Sequence, residues 1–159
     1  MKVLLQRTKW SRVKTVVNGE SRVVQVETGL TGLVGFFRED AEIKGSRAWE
    51  AIAGKILNLR IFPDENQRMN LSLADIQGDL LLVPQFTLYA DCRKGRRPGF
   101  SDSMPGDAAQ ELFSAFVSRL EHSWDRVYAG FFGADMDVEL CNWGPVTIML
   151  DSRDLVAYS

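Results

Sequence analysis

The sequence is poor in the residues on which most enzymes depend for proton transfer and nucleophilic attack. It holds a single histidine, His122, and two cysteines, Cys92 and Cys141. His122 falls at the polar end of a helical segment, between Glu121 and Ser123, where a histidine is solvated or caps the helix rather than acting as a base. The cysteines have no metal or redox spacing. A Cys–His hydrolase would need Cys92, in a polar turn, or Cys141, in a strand-like run, to be carried to His122. Nowhere do His, Cys, Asp and Glu cluster at metal-ligand spacing, so no metal and no other cofactor is expected. There is no Gly-x-Ser-x-Gly elbow and no phosphate-binding glycine loop. Asp135 and Asp137 share one strand face, where solvated charge is the default reading. An ordinary acid–base enzyme is hard to build from this inventory.

Other absences narrow the setting. No apolar run approaches the roughly 18 residues that a membrane span needs. The opening Met1–Gln6 is too short for a signal peptide, and a reducing cytoplasm is expected. A formal net charge of -2 means that any nucleic-acid contact must be a local patch. The densest basic run is Arg93-Lys94-Gly95-Arg96-Arg97, which reads either as a solvated loop or as a phosphate contact.

What is present describes one domain, residues 1–159. At 45% hydrophobic and 25% charged residues, the 159-residue chain can bury a core without staples. Val3–Gln6 and Val13–Val17 are strand-like, and Asn18-Gly19 before Val23–Val26 signals a hairpin. Leu30–Phe37 and Leu80–Val83 read as buried strands. A helix is expected over Asp40–Leu57, with the Ala48, Ile52, Ile56 row beside Trp49, Ala53 and Leu57. A second helix is expected from an Asp107 N-cap, with Gln110 three residues on, facing Leu112, Phe113, Phe116, Val117 and Leu120 inward. Two last strands are expected around Met136–Cys141 and Val146–Asp151. The class is α+β: a twisted, barrel-like mixed sheet with two to three packed helices.

Two segments stand out. Gly144-Pro145, within Asn142-Trp143-Gly144-Pro145-Val146-Thr147, lies between the last two strands, either as a connecting turn or as a kink that aims carbonyls into a pocket. Pro84-Gln85-Phe86-Thr87-Leu88 closes the Leu80–Val83 strand. A Thr87 nucleophile would need a base beside it, and nothing local supplies one; Gln85 can orient a water or hydroxyl but accepts no proton usefully. Thr87 otherwise reads as a β-branched strand residue.

Together these segments resemble the signature pair of the D-aminoacyl-tRNA deacylase family, usually Ser-Gln-Phe-Thr-Leu and Asn-x-Gly-Pro-Val-Thr. Val3–Arg7, Leu57–Phe62, Gly95–Phe100 and Phe132–Met136 fall in the family's order too, so the likeness runs from Met1 to about Asp151. It implies an esterase acting on D-aminoacyl-tRNA, and on glycine mischarged on tRNA, in which the Phe86 N–H stabilises an oxyanion beside Thr87 and Gln85. The tRNA's own 2′-hydroxyl would help activate water. Loss of one such donor typically costs about 10²–10³ in rate.

The resemblance further implies a homodimer. Gly144-Pro145, with a cis bond, would enter the partner's site as a wall that rejects L side chains; Arg7 would hold the motif, and Asn142 belongs to it. Phe132 and Met136 would line a pocket for the terminal adenosine, and Arg93, Lys94, Arg96 and Arg97 would meet phosphates. Two departures stand out: Pro84 and Gly99 replace the usual serines. Proline at 84 is shared with a related group that edits L-alanine, which lacks the Phe86 and Arg7 equivalents. The alternatives are that L-alanyl-tRNA deacylase or a non-catalytic, dimeric RNA- or nucleotide-binding module.

Overall fold

Buried and more exposed residues largely alternate along Lys2–Val17, and in the computed structural model, which describes residues 1–156, they form one long strand, β1. Its two halves were legible as separate strands; the chain joins them through Thr8–Trp10, where pairing is irregular. Asn18 and Gly19 both take positive φ, 52° and 80°, and turn the chain into β2 (Glu20–Val26), as the Asn-Gly signal predicts. β3 (Gly29–Gly35) covers the first half of β1, antiparallel to Lys2–Thr8. The remaining strands are β4 (Phe62–Pro63), β5 (Met69–Leu71), β6 (Asp79–Pro84), β7 (Val127–Ala129) and β8 (Asp137–Asp151). β4 and β5 pair only with each other.

The main sheet is mixed and nearly closed into a barrel-like form, in the order β2-β1-β3-β6-β7 with β8 on the other edge of β1. β3, β6 and β7 run parallel. Leu80–Val83 of β6 are buried throughout, the pattern of a strand covered on both faces.

Three helices pack on the sheet: α1 (Arg47–Asn58), α2 (Gly106–Glu121) and α3 (Ser152–Val156). Two expectations about helix starts need correction. The Asp40–Leu57 helix begins only at Arg47: Asp40–Glu42 is a single 3-10 turn, Gly45 takes φ 73°, and Ser46 caps the true start by accepting the Trp49 N–H at 3.2 Å. Asp107 is not the N-cap of α2. Pro105 holds that place, and Asp107 lies in the first turn, where its charge favours the helix dipole instead. The inward faces are as expected. Trp49 of α1 meets Phe116 of α2 edge to face at 4.9 Å, over a core that includes Val3, Leu5, Leu30, Leu80 and Leu82.

A third correction concerns the C-terminal strands. Met136–Cys141 and Val146–Asp151 are not two strands joined by a turn; they belong to one strand, β8. Gly144-Pro145 lies inside it, and this peptide bond is cis. The ladder accommodates the motif by a bulge. Gln6 pairs with Thr147 and Thr8 with Asn142, so the four residues Trp143–Val146 stand opposite the single residue Arg7.

Candidate active site

β6 ends at Pro84, and the chain turns at once into a 3-10 helix, Phe86–Tyr89. Several contacts fix that turn. The Gln85 N–H donates to the Val34 carbonyl at 2.7 Å, extending the β3–β6 pairing by one step. Gly35 lies directly beneath: a Cβ there would come within 2.7 Å of the Gln85 carbonyl oxygen. At the far end Tyr89 is buried against Phe37, ring centroids 5.5 Å apart, with the Lys2 ammonium 4.7 Å from its ring. Burial, with the nearby Asp40 carboxylate, pushes the Tyr89 phenol well above its ordinary range.

Phe86 and Thr87 carry the first two N–H groups of this 3-10 helix, which have no carbonyl to meet within it. Among the described residues neither donates to any other group. The Gln85 side-chain amide donates to the Thr87 hydroxyl, so Thr87 has an orienting neighbour but no base. Pro84, Gln85 and Phe86 line a cavity of about 640 Å³ between the β3–β6 strand ends and the start of α2. Pro84 contributes an apolar wall where a serine would contribute a hydroxyl. The Phe86 N–H lies two residues beyond it, so a donor lost at 84 leaves that at 86 in place.

Phe132 and Met136 line the same cavity, with Gly133, Ala134 and Asp135 between them in sequence. Phe132 rests against Phe113 of α2, centroids 6.0 Å apart, and the Phe131 N–H meets the Met136 sulfur at 3.3 Å. Asp135 is held through its carbonyl, which accepts from the Thr15 hydroxyl at 2.6 Å, while the residue itself is exposed. The lining is mostly apolar, as small-molecule sites usually are.

Gly144 and Pro145 are exposed and do not line this cavity. Their bulge is braced from below. Arg7 is buried at 6% exposure; its Nε donates to the Trp143 carbonyl at 2.8 Å and its Nη1 to the Ile61 carbonyl at 2.5 Å, and its guanidinium stacks 4.6 Å from the Trp143 ring. Burial draws its pKa down, yet an arginine remains charged in proteins. Asn142 spans the bulge: its Oδ1 accepts the Val146 N–H at 2.9 Å and its Nδ2 donates to the Thr147 hydroxyl at 3.0 Å. Gly144 has φ 132°, and a Cβ there would lie 2.7 Å from Arg7 Nη2. Only glycine fits. Arg7 is thus no surface strand arginine.

The basic run forms a hairpin loop closed by Asp91 and Gly99, which exchange backbone bonds of 2.7 and 2.8 Å. Arg93 folds back on Asp91 at 2.8 Å, and that hydrogen bond holds the Asp91 carboxyl down at about 2. Lys94, Arg96 and Arg97 are exposed. A Cβ on Gly99 would meet only Asp91 atoms at 3.8 Å, so serine would fit there equally well. His122 Nδ1 donates to the Ser118 carbonyl of its own helix at 2.6 Å, and His122 does not line the cavity. Among the described residues no group of three or more His, Cys, Asp or Glu could hold a metal. No helix there is long and apolar enough to cross a membrane.

Sequence reasoning missed Val34, Phe36, Met104 and Ala109, which line the cavity, and Phe100, which packs on Phe86 with centroids 5.0 Å apart. The first four read as core residues and carry no chemical signal. Phe100 carried one, as an aromatic three residues after the arginine pair Arg96-Arg97.

The sequence profile of the D-Tyr-tRNA(Tyr) deacylase family matches residues 4–151. The chain is 49% identical over 157 residues to a D-aminoacyl-tRNA deacylase of Solidesulfovibrio magneticus, covering 98% of each. It is 48% identical over 153 residues to one of Thermosipho africanus, covering 96% of this chain and 98% of that one. Among solved structures, a c-Myc DNA unwinding element binding protein superposes with a TM-score of 0.83 at 34% identity, covering 95% of this chain and 98% of the other. A probable eukaryotic D-amino acid tRNA deacylase shares the fold, with a TM-score of 0.76 at 21% identity over 94% of this chain and 97% of that chain.

Proposed function

The chain belongs to the D-Tyr-tRNA(Tyr) deacylase family, and on that premise we propose that it hydrolyses the ester of D-aminoacyl-tRNA with its main chain. The observation that carries this reading is the N–H of Phe86, which lines the cavity, together with that of its neighbour Thr87, both without a partner among the described residues. An ester is already activated, so an enzyme need mainly orient it, stabilise the oxyanion and admit water. The ester carbonyl lies against the Phe86 N–H, with Thr87 and Gln85 alongside. Water adds to the carbonyl carbon and its proton passes by way of the terminal ribose 2′-hydroxyl. The tetrahedral adduct collapses, the carbon–oxygen bond to the ribose breaks, and that ribose oxygen takes the proton. Free amino acid and tRNA leave.

The terminal adenosine packs against Phe132 and Met136, an aromatic ring and a thioether suited to a base. Lys94, Arg96 and Arg97 contact phosphates; Arg93, engaged by Asp91, contributes least. Gly144 and Pro145 act in trans. They are exposed in a single chain and lie outside its own cavity, so a second copy must present them as a wall of main-chain carbonyls against the substrate Cα. That wall excludes L side chains, passes glycine, and tolerates many D side chains. The enzyme is then a homodimer of the cytoplasm, where mischarged tRNA arises.

The test is ester loss from D-Tyr-tRNA and L-Tyr-tRNA in parallel. Loss from the D form alone is the expected result. Preference for the L form would favour the L-alanyl editing reading. Loss from neither would favour a nucleic-acid-binding module, the class to which the name of one structural relative points.

A further inference from the structure

Phe86 and Phe100 are exposed at 54% and 40%, although each is large and apolar. They meet with centroids 5.0 Å apart and an interplanar angle of 64°, the edge of one ring toward the other. In that arrangement at least one ring face is left for a third partner. Both rings have rigid backing. The Ser103 hydroxyl donates to the Phe86 carbonyl at 3.0 Å, and the Ser103 N–H closes a turn on the Phe100 carbonyl at 3.0 Å. The Met104 N–H ties that turn to the Phe36 carbonyl at 3.0 Å. An exposed aromatic pair held this firmly is a preformed surface.

Its location identifies the occupant. Phe86 lines the cavity, and Phe100 follows Gly99, the closing residue of the basic hairpin. The pair therefore lies between a pocket for one end group and a loop whose exposed cations are Arg93, which pairs with Asp91, and Lys94, Arg96 and Arg97. A strand leaving the cavity toward those cations passes over the rings. Alternating cationic and aromatic surface is the chemistry of single-stranded nucleic acid, because every base offers a π-face whatever its sequence.

We propose that Phe86 and Phe100 form a stacking platform for the unpaired nucleotide preceding the terminal adenosine of the bound tRNA. The proposal rests on the reading of the cavity as the seat of the aminoacyl-adenosine end. Phe100 contributes affinity, while Phe86 also carries the N–H assigned to the oxyanion, so substitutions at Phe100 separate the two roles.

The test compares three D-tyrosyl esters: of adenosine, of the trinucleotide CpCpA, and of full-length tRNA. Phe100→Leu keeps apolar volume against Phe86 and removes the ring. Its loss in kcat/KM, relative to the unaltered enzyme, is expected to be about 5- to 150-fold greater on CpCpA and tRNA than on adenosine, the range for one stacked base. The loss should fall on KM, and Phe100→Tyr should restore it. Equal losses on all three esters, or none on any, would overturn the platform. Binding of deacylated CpCpA against adenosine, followed by calorimetry, reads the same contrast without turnover. If the unaltered protein cleaves none of the esters, the proposed activity fails while this binding arm still decides the platform.

Discussion

Arg7 is a buried cation whose hydrogen bonds go to carbonyl oxygens, of Trp143 and Ile61. Neutral acceptors leave its charge in place to polarise the Trp143 carbonyl and stack on the indole. Removing it would strip the Gly144-Pro145 bulge of its brace and leave the Ile61 and Trp143 oxygens unmatched. Arg7→Ala is expected to cost about 2–3 kcal/mol in chemical denaturation. It should also lower the ratio of D- to L-tyrosyl-tRNA hydrolysis at least about ten-fold, the effect of about 1.4 kcal/mol on the gate. A stability loss with the ratio unchanged would mean that Arg7 only supports the fold. At Thr87 the expectation is opposite. Its hydroxyl accepts from Gln85 and has no base beside it, so Thr87→Ala should retain turnover within about ten-fold, whereas a nucleophile would lose several decades. Burst kinetics would give the same answer, with no covalent intermediate accumulating.

The 3-10 helix Phe86–Tyr89 is the element that turns a strand end into a donor site. Its height above the sheet is set by Gly35, where any side chain would strike the Gln85 carbonyl and, at 3.2 Å, Leu88 Cβ. Gly35→Ala is therefore expected to tilt the helix and withdraw its N–H groups. A kcat loss of up to about 10²–10³, the value of one oxyanion donor, should accompany a stability loss of only about 1–3 kcal/mol. A normal kcat would show that the helix does not set the chemistry. Elements of this kind were the hardest to see in the sequence. Leu80–Val83 announced a central strand and the Trp49 and Phe116 rows announced helices, because long periodic stretches carry their own signal. Phe86–Tyr89 reads as strand, for Phe, Thr, Leu and Tyr all suit one, and tertiary contacts at Gly35 and Phe37 decide otherwise. β4, β5 and β7, of two or three residues, are too short to show a period. The helix expected over Asp40–Leu57 starts only at Arg47 because its apolar stripe begins at Ala48, and Gly45 and Ser46 break the backbone before it.

Over the whole molecule, a net charge of -2 is combined with one basic hairpin, so attraction to a polyanion must be local. Exchanging Arg96 and Arg97 together for alanine is expected to flatten the slope of log kcat/KM against log salt by about 1.4 to 1.8, for two phosphate contacts. An unchanged slope would return the loop to plain solvent. Half of the candidate site was legible from motif residues, since Pro84–Phe86, Phe132 and Met136 lie on the same cavity. The other half, Gly144-Pro145 with Arg7 and Asn142, was legible only through the family resemblance, since residue pattern alone leaves that dipeptide open between a turn and a kink. What unites both halves is reliance on main chain. The most direct measurement of that claim is replacement of the Phe86 amide by an ester, which deletes one N–H and keeps every side chain. Because that N–H has no partner within the described residues, folding should be unaffected. Turnover of D-tyrosyl-tRNA should fall about 10²–10³-fold, and undiminished turnover would contradict the account.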